Sequence, residues 1–106
     1  AVMRSLKDAF SRYADFFPKM PKEMLQSILA ENDPIILFEN IAFNINFDYQ
    51  EKQELLEENN IIYRLSMLYG ILIREIEILE KDRFRNRYTK ILIKIRKNTI
   101  LGNSSM

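Results

Sequence analysis

The chain has 106 residues, of which 47% are hydrophobic and 29% charged, and its formal net charge is +1. This balance predicts a single soluble globular domain with a modest core, neither disordered nor embedded in a membrane. The absence of cysteine and histidine excludes disulfides, thiolate metal sites and every catalytic mechanism that needs either side chain.

The first two predicted elements are short helices separated by a turn between two prolines. Apolar residues recur at three- and four-residue steps from Val2 to Phe17 and predict helix one, which Pro18 ends. Pro21 suits the first position of helix two, which runs to about Ala30. On helix two we expect four buried side chains, Met24, Leu25, Ile28 and Leu29.

The third element is a short run that is apolar on most of its sides. Asp33 and Pro34 are typical of the N-cap and first residue of a helix, so helix three is predicted from Pro34 to Asn44. Because it is apolar almost all round, we expect it to be packed in the middle of the bundle. A buried β-strand is the alternative, since short apolar runs are ambiguous by periodicity. The apolar residues are Ile35, Ile36, Leu37, Phe38, Ile41 and Phe43.

A fourth short helix and one long helix complete the chain. Asp48 followed by Glu51 is typical of a capping box and starts helix four, which ends around Glu58. Asn60 is predicted to cap a helix that continues to Lys97 without a proline and would be ~57 Å long. Since a compact domain of this size has a radius of gyration of about 13 Å, we expect this helix to project. Its predicted apolar seam comprises Ile61, Leu65, Leu68, Leu72, Ile76 and Leu79.

These elements together predict an all-α fold, a small helical bundle of four or five helices with one long projecting C-terminal helix. Residues 1–59 would form the short-helix bundle. Residues 60–98 would form a connector helix packed on the bundle at its start, and residues 99–106 a flexible tail. Such a helix suits a lever, a connector or a self-associating coiled-coil arm, and no apolar run is long enough to span a bilayer.

The net charge hides an asymmetry along the chain. The segment 81–97 contains eight basic residues and one acid, so it carries +7 and the remaining residues carry −6. Basic side chains interleaved with Phe84 and Tyr88 suit phosphates and stacked bases, which makes nucleic-acid binding the alternative function. A solvated connector face is the other interpretation, because residues i and i+2 of a helix do not face each other. The candidate phosphate or partner contacts are Lys81, Arg83, Arg85, Arg87 and Lys90.

The turn between Pro18 and Pro21 is flanked by methionines and aromatic rings. These side chains suit a core, but flexible methionines and rings at a helix junction also make a permissive site for unfolded peptides. The candidate substrate contacts are Phe16, Phe17, Met20 and Met24.

Catalytic and metal-binding patterns have little support. Two glycines are too few for a P-loop, which excludes nucleotide hydrolysis in this stretch. A Ser-Lys dyad stays open by composition, although the serines lie in helical patterns without a nucleophile elbow. The acids from Asp48 to Glu58 lack the loop carbonyls and turn glycine of a calcium site, so we interpret them as a solvated helix face. We therefore predict no catalytic, cofactor-binding or metal-binding residues.

Short motifs follow one another in a defined order from Val2 to Lys97. They are Met3, Arg4 and Ser5, then Pro21, Glu23 and Leu25, then Asp33 and Pro34, then Lys52, Gln53, Leu55, Leu56 and Glu57, then Arg64, Leu65 and Leu68, then Glu75 and Ile76, and finally Arg83, Phe84, Arg85, Asn86 and Arg87. This succession resembles the helical part of the N-terminal region of bacterial Lon protease, the ATP-dependent protease La.

The resemblance implies a cytoplasmic, homohexameric AAA+ machine that recognises unfolded or damaged proteins, unfolds them with ATP and Mg and cuts them with a Ser-Lys dyad. Neither the ATPase nor the peptidase motif lies in this sequence, and the chain begins with Ala1, so we expect a non-catalytic piece of a longer protein. A chain that starts at Met3 and carries two added residues, Ala1 and Val2, would give the same sequence. The implied role is a subdomain that contributes to substrate recognition, oligomer assembly and coupling with the ring, with no membrane contact.

Overall fold

The computed structural model describes the backbone of residues 1–104 and the side chains of residues 1–98. The predicted all-α fold with a long C-terminal helix is confirmed, because the described residues form five helices and no strand. The β-strand alternative for the third element is therefore wrong. The helices are α1 (Val2–Ala14), α2 (Lys22–Ala30), α3 (Pro34–Phe43), α4 (Tyr49–Glu57) and α5 (Ile61–Ser104).

Three helices begin at the polar residues that the sequence indicates. The side chains of Asp33, Asp48 and Asn60 accept hydrogen bonds from backbone N–H groups in the first turns of α3, α4 and α5. These bonds satisfy donors that a helix start otherwise leaves unpaired, and so fix where each helix begins. The shortest bond at each cap is 2.9 Å from Ile35, 2.8 Å from Glu51 and 2.9 Å from Ile62.

Helix α1 ends earlier than its periodicity predicts. The backbone N–H of Phe17 donates to the carbonyl of Ala14 at 2.9 Å, which closes a tight turn instead of continuing the helix. Helical geometry is disfavoured for the residue before a proline, so Pro18 keeps Phe17 out of the helix. Pro21 in turn is the extended N-cap of α2 and not its first helical residue.

The chain divides into two compact units, of which the first is Ala1–Ile76 and the second begins at Glu77. Four of the six predicted seam residues of α5 lie in the core of the first unit, while Ile61 and Leu79 are half-buried. The large core side chains that are less than 2% exposed come from α1, α3, α4 and α5 and are Leu6, Phe10, Leu37, Ile41, Leu55, Leu65, Leu68, Leu72 and Ile76.

The prediction that α3 is packed in the middle of the bundle is wrong. Only Leu37, Phe38 and Ile41 are buried, whereas the other large apolar residues of the helix are exposed. On α2 likewise only Ile28 is buried, and its other three predicted core residues are half-buried. A bundle of this size has too few neighbouring helices to surround a helix that is apolar on all sides, so one apolar face stays at the surface.

In the second unit, every described side chain from Glu77 to Asn98 except Leu79 is exposed. Helix α5 ends at Ser104, beyond the predicted end at Lys97. Residues 105–106 and the side chains from residue 99 lie outside the described part, so the flexible tail stays a prediction, as do the segment boundaries after residues 59 and 98. No helix among the described residues is both long and apolar enough to cross a membrane.

Candidate binding surface

The predicted substrate contacts lie in two places on the first unit. Phe17 and Met20 line a groove of about 210 Å³ at the turn between α1 and α2. The Phe17 ring lies against that of Tyr13, with centroids 4.8 Å apart. Met24 lines a different groove, between α2 and α3, and Phe16 is half-buried and lines neither. The four residues therefore do not form one site.

A residue that sequence analysis assigned to the core, Phe43, is instead the most exposed of the large apolar residues described, at 91%. It lines a groove of about 200 Å³ between α3 and α4 and also the groove of about 290 Å³ that contains Met24. Phe43 therefore stands between two depressions, a mostly apolar one between α3 and α4 and a mixed one that Ser27, Asn40 and Asn44 also line. We call this region the Phe43 surface, defined by Met24, Phe38, Ala42, Phe43, Phe47 and Leu56.

The end of α3 places Phe43 at the surface. The side-chain amide of Asn44 donates to the carbonyl of Asn40 at 2.7 Å, and the backbone N–H of Asn44 donates to Ile41 at 3.0 Å. These bonds close the last turn of α3 and satisfy carbonyls that a helix end leaves unpaired. Because Phe38 and Ile41 hold the inner face of α3 in the core, Phe43 in the last turn faces outward.

Arg64 on α5 contacts two of the residues that define the Phe43 surface, Phe38 and Leu56. Its Nη2 donates to the carbonyl of Leu56 at 3.0 Å, and its Nε donates to the carbonyl of Glu58. Its guanidinium carbon also lies 5.7 Å from the centroid of the Phe38 ring. A cation at a helix C-terminus pairs with carbonyls that lack partners. Arg64 therefore fixes the end of α4 against the floor of the α3–α4 groove.

The acidic face of α4 is only partly solvated. Glu51 accepts two hydrogen bonds from the Arg74 guanidinium, at 2.6 and 2.8 Å, while Glu54 and Glu57 are exposed. The hydrogen bonds from Arg74 lower the pKa of Glu51, with a smaller contribution from the Asp48 backbone. Glu51 thus belongs to a structural ion pair. Among the described residues no cluster of three or more potential metal ligands is present.

The predicted phosphate contacts lie on α5 in the second unit. All five side chains from Lys81 to Lys90 named in the sequence analysis are exposed. Within the same stretch the rings of Phe84 and Tyr88 stack on each other, with centroids 6.4 Å apart and an angle of 9° between planes. Their assignment to a ligand stays a prediction.

Sequence reasoning missed Phe43, Phe47 and Leu56. For Phe43 the available signal was the composition of helix three, because a short chain has too few helices to cover every side of a helix that is apolar all round. No local signal identifies Arg64, whose partners depend on the tertiary arrangement of α4 and α5.

Comparison with known proteins gives a consistent result. Residues 1–74 match the family model described as the ATP-dependent protease La (LON) substrate-binding domain. The chain is 38% identical over 97 residues to the Lon protease of Heliobacterium modesticaldum, covering 92% of this chain and 11% of that protein. It is 39% identical over 79 residues to the Lon protease of Dictyoglomus thermophilum, covering 74% and 10%.

A third relative, Lon protease 1 of Myxococcus xanthus, is 31% identical over 103 residues, which cover 96% of this chain and 13% of that protein. The chain thus spans about a tenth of the length of these relatives. The resemblance inferred from the ordered motifs is confirmed.

Proposed function

The chain belongs to the Lon protease family, within its substrate-binding domain, and we propose that it binds unfolded or damaged protein substrates through the Phe43 surface. The observation that carries the proposal is the 91% exposure of Phe43 between two grooves, of which the one between α3 and α4 is mostly apolar. Exposed apolar patches on soluble proteins mark interaction sites. The whole surface also lies inside the matched residues 1–74.

The size of the grooves favours single side chains over compact ligands. At about 200 and 290 Å³, both are smaller than the roughly 300–1,000 Å³ of small-molecule sites. An extended polypeptide would place one apolar side chain on each side of the Phe43 ring. Since folded proteins bury such side chains, this requirement selects unfolded segments.

The lining of the grooves favours permissive binding. No buried side-chain nitrogen or oxygen among the described residues lacks a hydrogen-bond partner. No buried polar group is therefore left to demand one particular substrate atom, although Glu39 and Lys52 line one groove and Ser27, Asn40 and Asn44 line the other. Burial of apolar area, at about 25 cal/mol per Å², supplies the attraction without regard to sequence. A domain that recognises damage needs this tolerance.

Binding of the chain to casein, a model unfolded substrate, tests the proposal. Phe43→Ser should weaken binding at least tenfold, whereas Ile35→Ser should leave it unchanged. Ile35 is the matched control because it is an exposed apolar residue of the same helix that lines neither groove. Equal casein binding by both variants would exclude the Phe43 surface as the binding site. Loss of binding only on changing Phe17 and Met20 would place the site at the α1–α2 turn.

In the longer protein we propose that this domain delivers substrate to an ATP- and Mg-dependent AAA+ ring of a cytoplasmic homohexamer with a Ser-Lys peptidase. Family membership and the length of α5 support this role. The full-length Phe43→Ser protein should degrade casein more slowly while it cleaves short peptides and hydrolyses ATP at normal rates. A parallel loss of all three activities would argue for an assembly defect instead of a capture defect.

A further inference from the structure

The groove between α3 and α4 carries two opposite charges, one on each of its walls. Glu39 lines the groove from α3 and Lys52 lines it from α4, together with six apolar residues. Glu39 is the only charged residue of α3, and Lys52 is the only basic residue of α4. The one negative charge of α3 and the one positive charge of α4 therefore meet at this groove.

Both charges are free to meet a ligand. The two side chains are exposed, and neither has a hydrogen-bond or ion-pair partner among the residues that the structure describes. The neighbouring acid of α4, Glu51, is instead held by Arg74. The Arg64 guanidinium also lies near the groove, but it already donates to two backbone carbonyls at the end of α4. Glu39 and Lys52 are therefore the charges that a segment in the groove meets.

The geometry of an extended chain matches this arrangement. Side chains two positions apart in an extended polypeptide point to the same side and are about 7 Å apart. When a segment crosses the groove with one apolar side chain inside it, the side chains two positions before and after therefore lie over the two walls. One of them meets Glu39 and the other meets Lys52.

We propose that the α3–α4 groove prefers unfolded segments in which an apolar residue lies between a basic and an acidic residue, each two positions away. This inference rests on the proposed capture of unfolded proteins by the Phe43 surface, and it names the class of segment that is captured best. The basic residue pairs with Glu39 and the acidic residue with Lys52. The two signs are set but not their order, because a segment can cross the groove in either direction.

The preference ranks substrates without excluding any of them. An exposed ion pair contributes little free energy, so each charge should change the affinity by about two- to fivefold. Burial of the apolar side chain remains the larger contribution. A segment with two like charges makes one attractive contact and one repulsive contact, so it should bind more weakly than a segment with one charge of each sign.

Fluorescence anisotropy with the whole chain and three synthetic peptides tests the inference. Each peptide has a central phenylalanine among serines and glycines, and two positions to either side it carries lysine and glutamate, two lysines or two glutamates. The mixed peptide should bind the wild type roughly threefold more tightly than either of the others. Glu39→Lys should shift the preference to two glutamates, and Lys52→Glu should shift it to two lysines. The double exchange should restore the preference for the mixed peptide.

Glu54→Lys is the matched control, because Glu54 is an exposed acid of α4 that lines neither groove of the Phe43 surface. It should leave the order of the three affinities unchanged. If Glu54→Lys instead changes the order as much as Glu39→Lys does, the net charge of the chain sets the preference and the inference is overturned.

Phe43→Ser separates this inference from the proposed function. Equal affinity of the wild type for all three peptides, lost in each case on Phe43→Ser, would overturn the charge preference and leave capture by the Phe43 surface in place. If no peptide binds the wild type, or if binding is unchanged by Phe43→Ser, both the preference and the proposed site are overturned.

Discussion

Arg74 of α5 binds both carboxylate oxygens of Glu51 in the first turn of α4. The Nη1–Oε2 distance is 2.6 Å and the Nη2–Oε1 distance is 2.8 Å. The backbone N–H of Glu51 also donates a hydrogen bond to the side chain of Asp48, the N-cap of α4. One guanidinium therefore ties the start of α4 to the long helix, and α4 forms one wall of the Phe43 surface.

The first prediction concerns the geometry of this pair. Arg74→Lys should lower the free energy of unfolding by about 0.5–1 kcal/mol, because an ammonium group cannot form two parallel hydrogen bonds to one carboxylate. Urea denaturation followed by circular dichroism measures the change. Arg4→Lys on α1 is the control and should leave the midpoint in place. An unchanged midpoint for Arg74→Lys would show that the pair adds no stability.

The second prediction is the pH dependence of the same pair. Arg74 lowers the pKa of Glu51 in the folded chain below its ordinary value of 4.5. The unfolded chain therefore binds the proton more readily, and the pair stabilises the fold fully above about pH 4.5 and loses this effect as the pH falls through the folded pKa. The stability gap between the wild type and Glu51→Gln should shrink between pH 6 and pH 3.

Glu54→Gln provides the comparison for this titration, since Glu54 is exposed on the same helix. The difference in free energy of unfolding between Glu54→Gln and the wild type should change less over the same pH range. If the difference in free energy of unfolding between the wild type and Glu51→Gln instead grows as the pH falls, the pKa of Glu51 is not lowered in the folded chain.

The sequence predicted the helices well because their ends depend on nearby residues. Asp33, Asp48 and Asn60 cap helices within three residues of themselves, and the α5 seam repeats without interruption. What sequence reasoning could not supply is which face of α3 has neighbours. Periodicity marks a face as apolar, but the number of surrounding helices decides whether it is buried. Periodicity therefore predicts Phe43 in the core, whereas the ring lies at the surface.

The same limit applies to contacts between distant residues. Glu51 and Arg74 are 23 positions apart, and Arg64 reaches back eight positions to Leu56. Charge spacing along one helix predicts neither contact, because each depends on how α4 packs against α5. The candidate binding surface depends on that packing and was therefore only partly visible in the sequence, through Met24.

The third prediction concerns Gly70, in the interior of α5. A Cβ added at this position meets no atom within 4 Å, and the residue is exposed. Glycine in a helix interior costs about 1 kcal/mol relative to alanine. Gly70→Ala should therefore raise the free energy of unfolding by about that amount and raise the melting temperature. A lower melting temperature would mean that α5 needs flexibility or a close contact at this point.

The last prediction separates binding from stability. Leu68 is completely buried in the first unit, so Leu68→Ala should lower the free energy of unfolding by about 2–5 kcal/mol. Phe43→Ser removes a larger side chain, yet the change should stay within about 0.5 kcal/mol because that ring is at the surface. Urea denaturation of the two variants in parallel measures both effects.

The contrast between these variants decides what the exposed ring is for. A core residue that reached the surface only through local distortion would still contribute to folding, and its replacement by serine would destabilise the chain. If Phe43→Ser instead keeps the wild-type denaturation midpoint and loses casein binding, the ring does not serve the fold and serves recognition. Loss of both properties together would show that Phe43 contributes to folding, and would remove the main support for the Phe43 surface as a binding site.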